Sequence, residues 1–358
     1  MPTRVLESIE LRQLRLPLTK PYRLAIGVQT DFNTVLVTLT TSDGARGFGE
    51  ATLVPGYTDE TVEASWARAG ELAEVLAGGT VEAARDELWA AWPEAPFTAT
   101  AFLSALDCLE AHPALTRPAN VPLLAILSSD GRDYGSARDE ADRLVETGYR
   151  TLKFKVGFDL ESDLAALQTV QKAVDGRAGL RVDANQGFSQ EDAIAFLDAM
   201  SPEGIELVEQ TCDKADWDAA VAVKPHGRVP LMLDESIYGP DDIDRAAALG
   251  AADLVKLKLM KVGDLTALQS ALDRIRSNGM TPVLGNGVAT DIGCWMEACA
   301  MPGHVDNAGE MNGFLKTPVQ LLDPPIRMEG DEIVLPEDLP GLNQDAVDKV
   351  TVRLQRWG

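Results

Sequence analysis

The chain has 358 residues, of which 45% are hydrophobic, so it is long enough for two domains with a full core. Its net charge is −24, with no long basic run, which argues against a nucleic-acid or membrane partner. No apolar run reaches membrane-spanning length, and the N-terminus lacks a signal-peptide pattern. The four cysteines form no CxxC motif and fit a reducing compartment. These features predict a cytoplasmic protein.

The first 115 residues predict an α+β domain. An alternating strand is followed by two further strands that complete an antiparallel meander, and then by three helices. We expect residues 324–358, which contain strand-like runs, to return to this domain. The predicted strands and helices cover residues 4–16, 35–40, 47–51, 58–79, 81–92 and 96–111.

Residues 121–323 repeat a unit of one strand and one helix. Short apolar runs alternate with helix-like segments, and five of these runs stop on a charged side chain. The stops are 28, 26, 25 and 24 residues apart, the length of one βα unit. Such a series predicts an α/β fold whose parallel strands close into a TIM-type barrel, with the C-terminal strand ends at one mouth. The stops are Lys155, Asp183, Glu209, Asp234 and Lys258.

Three of the five strand-end charges are carboxylates on consecutive strands. A single one could instead cap the next helix. Three together repel one another unless a cation neutralises them, and oxygen ligands without histidine or cysteine favour Mg²⁺, with Mn²⁺ as the alternative. The predicted metal ligands are Asp183, Glu209 and Asp234. Asn185 and Glu235 lie beside them in the sequence and are predicted to support the site without binding the ion.

Two lysine pairs occupy strands that lie across the predicted barrel from each other. Lys153 and Lys155 alternate on the second strand, and Lys256 and Lys258 on the sixth. One pair alone could be a solvated strand end. If both face the interior, burial and mutual repulsion are expected to lower a lysine pKa enough to give a base near neutral pH. Lys258 is preferred over Lys256 because it lies nearer the C-terminal end of its strand, whereas either lysine of the first pair could be the base.

Together these motifs resemble the enolase superfamily, and in particular its mandelate racemase/muconate lactonizing enzyme-like group. The resemblance covers nearly the whole chain. It rests on GFGEA at 47–51, KFK at 153–155, DANQGF at 183–188, ELVEQ at 206–210, LDES at 233–236 and KLKLMKVGD at 256–264.

The resemblance implies a modified (β/α)7β barrel, here residues 121–323, covered by the N-terminal α+β domain. It also implies Mg²⁺ on the three strand-end carboxylates, and a homo-oligomer. Lys155 would be one acid/base, tuned by Lys153, and Lys258 the opposite one. The shared chemistry is removal of the proton α to a carboxylate, giving a metal-stabilised enediolate.

The eighth strand departs from that of the dipeptide epimerases in this group, and specificity is expected to depend on the capping loops as well. Those enzymes carry a DxD motif on the eighth strand, whereas this chain has Glu310 and Asn312 there, closer to cycloisomerases. The glycines of the seventh strand could approach a ligand closely or simply end the strand, and the tyrosines could instead pack the domain interface. The predicted substrate contacts are Glu310, Asn312, Gly285, Gly287, Tyr22 and Tyr57.

The favoured function is a 1,1-proton transfer, the racemisation or epimerisation of an amino-acid derivative. Cycloisomerisation of a muconate-like diacid is the second alternative. A β-elimination of the dehydratase or o-succinylbenzoate synthase type is the third. An inactive barrel that binds a ligand is the alternative outside enzymes, and it predicts the loss of at least one of the five strand-end charges, all of which are present.

Overall fold

The structure, a computed structural model, describes residues 4–24, 27–54, 58–128 and 131–358, and only the backbone of residues 22–24 and 27. An antiparallel sheet with three helices forms the N-terminal part. Its elements are β1 (Leu6–Leu24), β2 (Gly27–Thr41), β3 (Arg46–Leu53), α1 (Val62–Leu76), α2 (Val81–Ala91) and α3 (Pro96–Leu109).

Helix α1 begins four residues later than the sequence predicts. The Thr58 hydroxyl donates hydrogen bonds to the Val54 and Glu60 carbonyl oxygens, so it does not cap a helix. Thr61 takes that role, because its side chain accepts the Ala64 amide N–H.

Strands and helices alternate through the middle of the chain, and all of these strands after the first are parallel. The strands are β4 (Ala119–Pro122), β5 (Ala125–Ile126), β6 (Thr151–Lys155), β7 (Gly179–Asp183), β8 (Ile205–Glu209), β9 (Leu231–Leu233), β10 (Leu254–Leu257) and β11 (Thr281–Leu284). The helices are α4 (Tyr134–Thr147), α5 (Leu160–Val174), α6 (Gln190–Ala199), α7 (Trp217–Val223), α8 (Pro240–Leu249), α9 (Leu265–Ser277) and α10 (Asp291–Ala300).

Seven of these strands, β5 to β11, form one parallel sheet in sequence order. The segment at Gly309 and Glu310 joins its two edges. The Glu310 amide donates to the Leu284 carbonyl at 3.0 Å, and the Leu124 amide donates to the Gly309 carbonyl at 2.9 Å. The sheet therefore closes, and the predicted TIM-type barrel with an N-terminal α+β domain is confirmed.

The C-terminal residues divide between the barrel and the N-terminal sheet. The last strand, Thr351–Trp357, pairs with β1, whereas the hairpin of β13 (Arg327–Glu329) and β14 (Glu332–Leu335) pairs with β4. The domain boundaries stay a prediction. The elements are β12 (Leu322–Asp323), β13 (Arg327–Glu329), β14 (Glu332–Leu335), β15 (Gly341–Leu342), α11 (Gln344–Val350) and β16 (Thr351–Trp357).

Within the described residues, no helix is both long and apolar enough to cross a membrane. The four cysteines are buried and free of disulfides.

Candidate active site

All five strand-end charges lie at the same edge of the barrel sheet. Lys155, Asp183 and Glu209 are the last residues of β6, β7 and β8, and Asp234 and Lys258 directly follow β9 and β10. Because parallel strands present their C-terminal ends to one mouth, the repeat brings these side chains together. Lys155 is the most exposed of them, with 21% of its side chain accessible, and the others are buried.

The predicted metal ligands are linked to one another through lysine ammonium groups. Lys153 Nζ lies 2.8 Å from Asp183 Oδ2 and 2.8 Å from Glu209 Oε2. Lys256 Nζ lies 3.1 Å from Glu209 Oε1 and 3.5 Å from Asp234 Oδ2. Neighbouring carboxylates therefore share an ammonium, and all three belong to one buried ionic network.

Lys155 and Lys258 stand at the two ends of this network. Lys155 Nζ lies 2.5 Å from Asp183 Oδ2, and Lys258 Nζ lies 2.8 Å from Asp234 Oδ2. Both lysines line the same cavity, together with Gly287 of the loop that follows β11. The two lysines therefore reach one small cavity from different strands of the barrel.

The lysine pKa values differ from the sequence-based expectation. Burial lowers the pKa of Lys153, but the charges of Asp183, Glu209 and Glu310 outweigh it and raise the pKa above its usual value. The pKa of Lys258 is likewise raised, because Asp234 outweighs burial. The lowering expected for one lysine of a pair is thus not found at Lys153 or at Lys258, since that expectation counted the second lysine and burial but not the carboxylates between the strands.

The three carboxylates do not titrate alike. Despite burial, the neighbouring lysines lower the pKa of Asp183 to about 2 and hold that of Asp234 well below its usual range. Burial and repulsion from Asp183 raise the pKa of Glu209 to about 7. Of the three carboxylates, Glu209 therefore has the surroundings least favourable to its charged form.

The donor set fits a hard divalent cation in chemistry, although no ready-made ligand cage is formed. Three carboxylates on consecutive strands supply the oxygen donors that Mg²⁺ prefers. Across the described ranges, no three His, Cys, Asp or Glu side chains are already grouped around one point. In the structure, the Lys153 and Lys256 ammonium groups bridge these carboxylates. Binding would require these groups to move off the oxygen atoms that the ion takes.

Asn185 connects Lys155 to Glu235. Its backbone adopts a left-handed conformation, with φ at 43°, and its N–H donates to Asp183 Oδ1 at 2.8 Å. Its side-chain oxygen accepts from Lys155, and its Nδ2 donates to Glu235 Oε1 at 3.0 Å. Glu235 Oε2 is buried and has no hydrogen-bond partner in the described part of the chain. Both residues thus lie where the sequence placed them, beside the carboxylates.

Glu310 pairs with two lysines of the network. Its Oε2 accepts from Lys153 at 2.7 Å and also contacts Lys256. Burial raises its pKa, but the charges of the two lysines outweigh burial and hold the pKa well below the usual range. The predicted contact between Glu310 and the substrate stays a prediction. In the structure, its carboxylate pairs with the ammonium groups of Lys153 and Lys256.

The other predicted substrate contacts differ in what surrounds them. Gly285 has φ at 138° and lies against the Glu310 backbone, so it serves the close packing of the strand end. Gly287 lines the cavity, and a Cβ there would meet Lys316 Nζ at 2.7 Å. Asn312 Oδ1 is buried without a hydrogen-bond partner among the described residues. Tyr57 and the side chain of Tyr22 lie outside the described residues.

Lys261 belongs to the site, although the sequence interpretation did not select it. It is the last residue of the 3₁₀ turn Leu259–Lys261, which directly follows Lys258. Its Nζ donates to the Asp234 carbonyl at 2.7 Å and lies 3.2 Å from Asp234 Oδ1. Burial lowers its pKa to about 8. The three-residue spacing from Lys258 was the available clue, because residues three apart align on a 3₁₀ turn.

Comparison with known proteins agrees with this architecture. The chain is 30% identical to muconate cycloisomerase 1 of Rhodococcus opacus, over 95% of this chain and 96% of that one. It is 31% identical to an aromatic dipeptide epimerase of Herpetosiphon aurantiacus, over 74% of this chain and 77% of the relative. The crystal structure of muconate lactonizing enzyme from Pseudomonas fluorescens in complex with muconolactone superposes with a TM-score of 0.87 at 24% identity, covering 98% of this chain and 100% of that one.

Two family matches cover most of the sequence. Residues 8–127 match the mandelate racemase / muconate lactonizing enzyme N-terminal domain, and residues 136–348 match the enolase C-terminal domain-like family. Fold and relatives together define an isomerase of the enolase superfamily. The chain belongs to the mandelate racemase/muconate lactonizing enzyme group, whose members generally depend on Mg²⁺.

Proposed function

We propose that this protein is a Mg²⁺-dependent racemase or epimerase that moves the α-proton of an amino-acid derivative from one face to the other. The observation that carries the proposal is the placement of Lys155 and Lys258. They come from strands across the barrel, contact different carboxylates and line one cavity. A 1,1-proton transfer needs an acid/base group on each face of the same carbon.

The charge of the site suits an anionic substrate. Five carboxyl groups and five lysines lie in or against the network, so their formal charges balance. With a divalent cation added, the site would carry an excess of positive charge that attracts a substrate carboxylate. The carboxyl groups are those of Asp183, Glu209, Asp234, Glu235 and Glu310, and the lysines are Lys153, Lys155, Lys256, Lys258 and Lys261.

In this mechanism Asp183, Glu209 and Asp234 would hold Mg²⁺, which would neutralise negative charge that builds on the substrate carboxylate. Lys155 would take the α-proton from one face, and Lys258 would deliver a proton to the other. Because Asp234 raises the pKa of Lys258, their ion pair must loosen before Lys258 can accept a proton. Lys153 and Lys256 would balance the charge of the carboxylates with which they pair.

Cycloisomerisation of a diacid is the second candidate. It is favoured by the muconate cycloisomerase relative, which matches over nearly its full length. It is also favoured by Glu310, whose carboxylate is held by Lys153 and Lys256 and is poorly placed to receive a substrate ammonium group. The same observation favours an N-acyl derivative over a free dipeptide as the substrate of a racemase.

Proton exchange in D₂O tests the proposal and separates the two candidates. The protein is incubated with Mg²⁺ and a panel of N-acyl amino acids, dipeptides, betaines and muconate-like diacids, and the products are followed by NMR. Racemisation places deuterium on the α-carbon of recovered substrate. Cycloisomerisation places it on the protonated carbon of a lactone. If no amino-acid derivative exchanges while a diacid gives labelled lactone, the second candidate replaces the first.

A further inference from the structure

Glu297 is a buried acid on α10 that the proposed mechanism does not use. Its side chain is almost fully buried, and burial raises its pKa to about 8. Burying a carboxyl is costly unless its oxygen atoms find partners, so its contacts are informative. One oxygen, Oε2, has no hydrogen-bond partner in the ranges that the structure describes. The other makes a contact that bears on Lys258.

Glu297 Oε1 accepts the backbone N–H of Leu259 at 2.8 Å. Leu259 is the first residue of the 3₁₀ turn that follows Lys258. An N–H at the start of a helical turn has no carbonyl partner within that turn, and a buried one needs an acceptor from elsewhere. Glu297 supplies it, and thereby fixes the peptide group that joins Lys258 to Leu259.

The far end of the same turn is fixed from the opposite side. Lys261 Nζ donates to the Asp234 carbonyl at 2.7 Å and to the Ile237 carbonyl at 3.0 Å. Asp234 also receives Lys258 at 2.8 Å. The turn is therefore held between the loop after β9 and helix α10. Glu297 provides the anchor on the helix side, directly behind the residue whose side chain faces the cavity.

We propose that Glu297 is a positioning residue for Lys258. By holding the Leu259 amide, it sets the direction from which the Lys258 ammonium reaches the substrate α-carbon. The inference rests on the proposed proton transfer. It predicts a one-sided effect, because Lys155 lies on β6 and is positioned instead by Asp183 and Asn185.

Two substitutions separate positioning from general stability. Glu297→Met keeps the length of the side chain but removes the acceptor, so the Leu259 amide is left buried and unpaired. Glu297→Gln keeps an acceptor oxygen with the same reach. Cys299→Ala is the matched control, since it trims a buried side chain of the same helix that makes no hydrogen bond to the turn within the described residues. If the Met variant does not fold, Glu297→Asp replaces it, because it withdraws the oxygen by one methylene.

The readout is α-proton exchange in D₂O, measured separately for the two enantiomers of one substrate. The enantiomer served by Lys258 is the one that loses exchange in Lys258→Ala. For that enantiomer we expect Glu297→Met to slow exchange about 10-fold to 100-fold, the effect of a displacement of about 1 Å. We expect the other enantiomer to stay within about twofold, and Glu297→Gln and Cys299→Ala to behave like the wild type. Equal slowing of both enantiomers, or no slowing, would overturn the inference.

Backbone amide exchange tests the anchor without relying on activity. Deuterium uptake of a peptide covering residues 256–262, followed by mass spectrometry, should be faster in Glu297→Met than in the wild type and unchanged in Glu297→Gln. If the wild type exchanges no substrate but this uptake changes as expected, the proposed function fails and the anchor stands. Unchanged uptake in Glu297→Met would overturn the anchor itself.

Discussion

Glu50 shows how a single buried carboxyl can couple the N-terminal sheet to the barrel. It lies on β3, and its Oε1 accepts the Thr290 amide at 2.8 Å and the Gly293 amide at 3.1 Å at the start of α10. The Thr290 hydroxyl donates to its other oxygen. Burial, with a smaller contribution from Asp291, raises the pKa of Glu50 to about 7. Folding therefore favours the neutral form of the Glu50 carboxyl.

This raised pKa predicts a stability that falls as pH rises. Below about pH 4.5 Glu50 is neutral in both states; between about pH 4.5 and 7 only the unfolded chain ionises, which favours unfolding. Glu50→Gln cannot ionise, so its free energy of unfolding should drop less between pH 5 and pH 8, by about 2–4 kcal/mol. Urea denaturation of both proteins across this range measures the difference. If the unfolding free energies of the two proteins fall in parallel with pH, the pKa of Glu50 is not raised in the folded state, which would contradict the prediction.

Single residues also mark the limit of sequence-based prediction at the site. The strand-end charges could be predicted, because their positions follow from the βα repeat and the direction of the strands. The sign of the Lys153 pKa shift could not, because it depends on three carboxylates that arrive from other strands. Glu297 was beyond reach for the same reason, since its partner is a backbone amide on another element.

Among the elements, β1 and the C-terminal hairpin show what the sequence pattern could not predict. The alternation of β1 was read only to residue 16, but the strand continues to Leu24 through a register shift between Pro17 and Tyr22. Residues 324–358 were expected to return to the N-terminal domain without a predicted pairing partner; within them β16 pairs with β1, and the hairpin of β13 and β14 pairs with β4. Local pattern gives strand type and approximate position, whereas pairing partners depend on which edge the fold leaves open.

The end of β11 gives a prediction at this scale. Gly285 has positive φ and packs on the Glu310 backbone, so Gly285→Ala adds both backbone strain and a clash beneath the site. Gly44→Ala is the matched control, because Gly44 has φ at 84° with nothing within 4 Å of an added Cβ. We expect Gly44→Ala to lose about 1–2 kcal/mol of unfolding free energy from backbone strain alone. Gly285→Ala should lose more, because the clash adds to the strain.

Urea denaturation and substrate exchange together measure this difference. Only Gly285→Ala should also slow exchange, since it displaces Glu310 and with it Lys153 and Lys256. Equal stability and equal activity in the two variants would show that the chain between β11 and Glu310 adjusts without cost.

At the scale of the whole molecule, Mg²⁺ should stabilise the fold. An ion that binds only the folded state raises the free energy of unfolding, by about 2.7 kcal/mol at a concentration of about 100 times the dissociation constant. Glu209→Gln should abolish most of this gain. It is the mildest ligand substitution, because burial already raises the pKa of Glu209 to about 7. Glu206→Gln, on the same strand but bonded to Thr151 and Arg181, should respond to Mg²⁺ like the wild type.

Thermal or urea unfolding with and without Mg²⁺ makes this comparison. A Glu209→Gln protein that gains as much stability as the wild type would place the ion elsewhere. The cytoplasmic location and the homo-oligomer stay predictions, because they depend on features outside a single chain.

The most direct test of the account is exchange of each enantiomer of one N-acyl amino acid in Lys155→Ala and Lys258→Ala. Two bases on opposite flanks predict mirror-image results, in which each variant keeps α-proton exchange with one enantiomer and loses it with the other, by about 100-fold or more. Racemisation should be lost in both. If both variants lose exchange with the same enantiomer, the two lysines act on the same face, which would contradict the central claim.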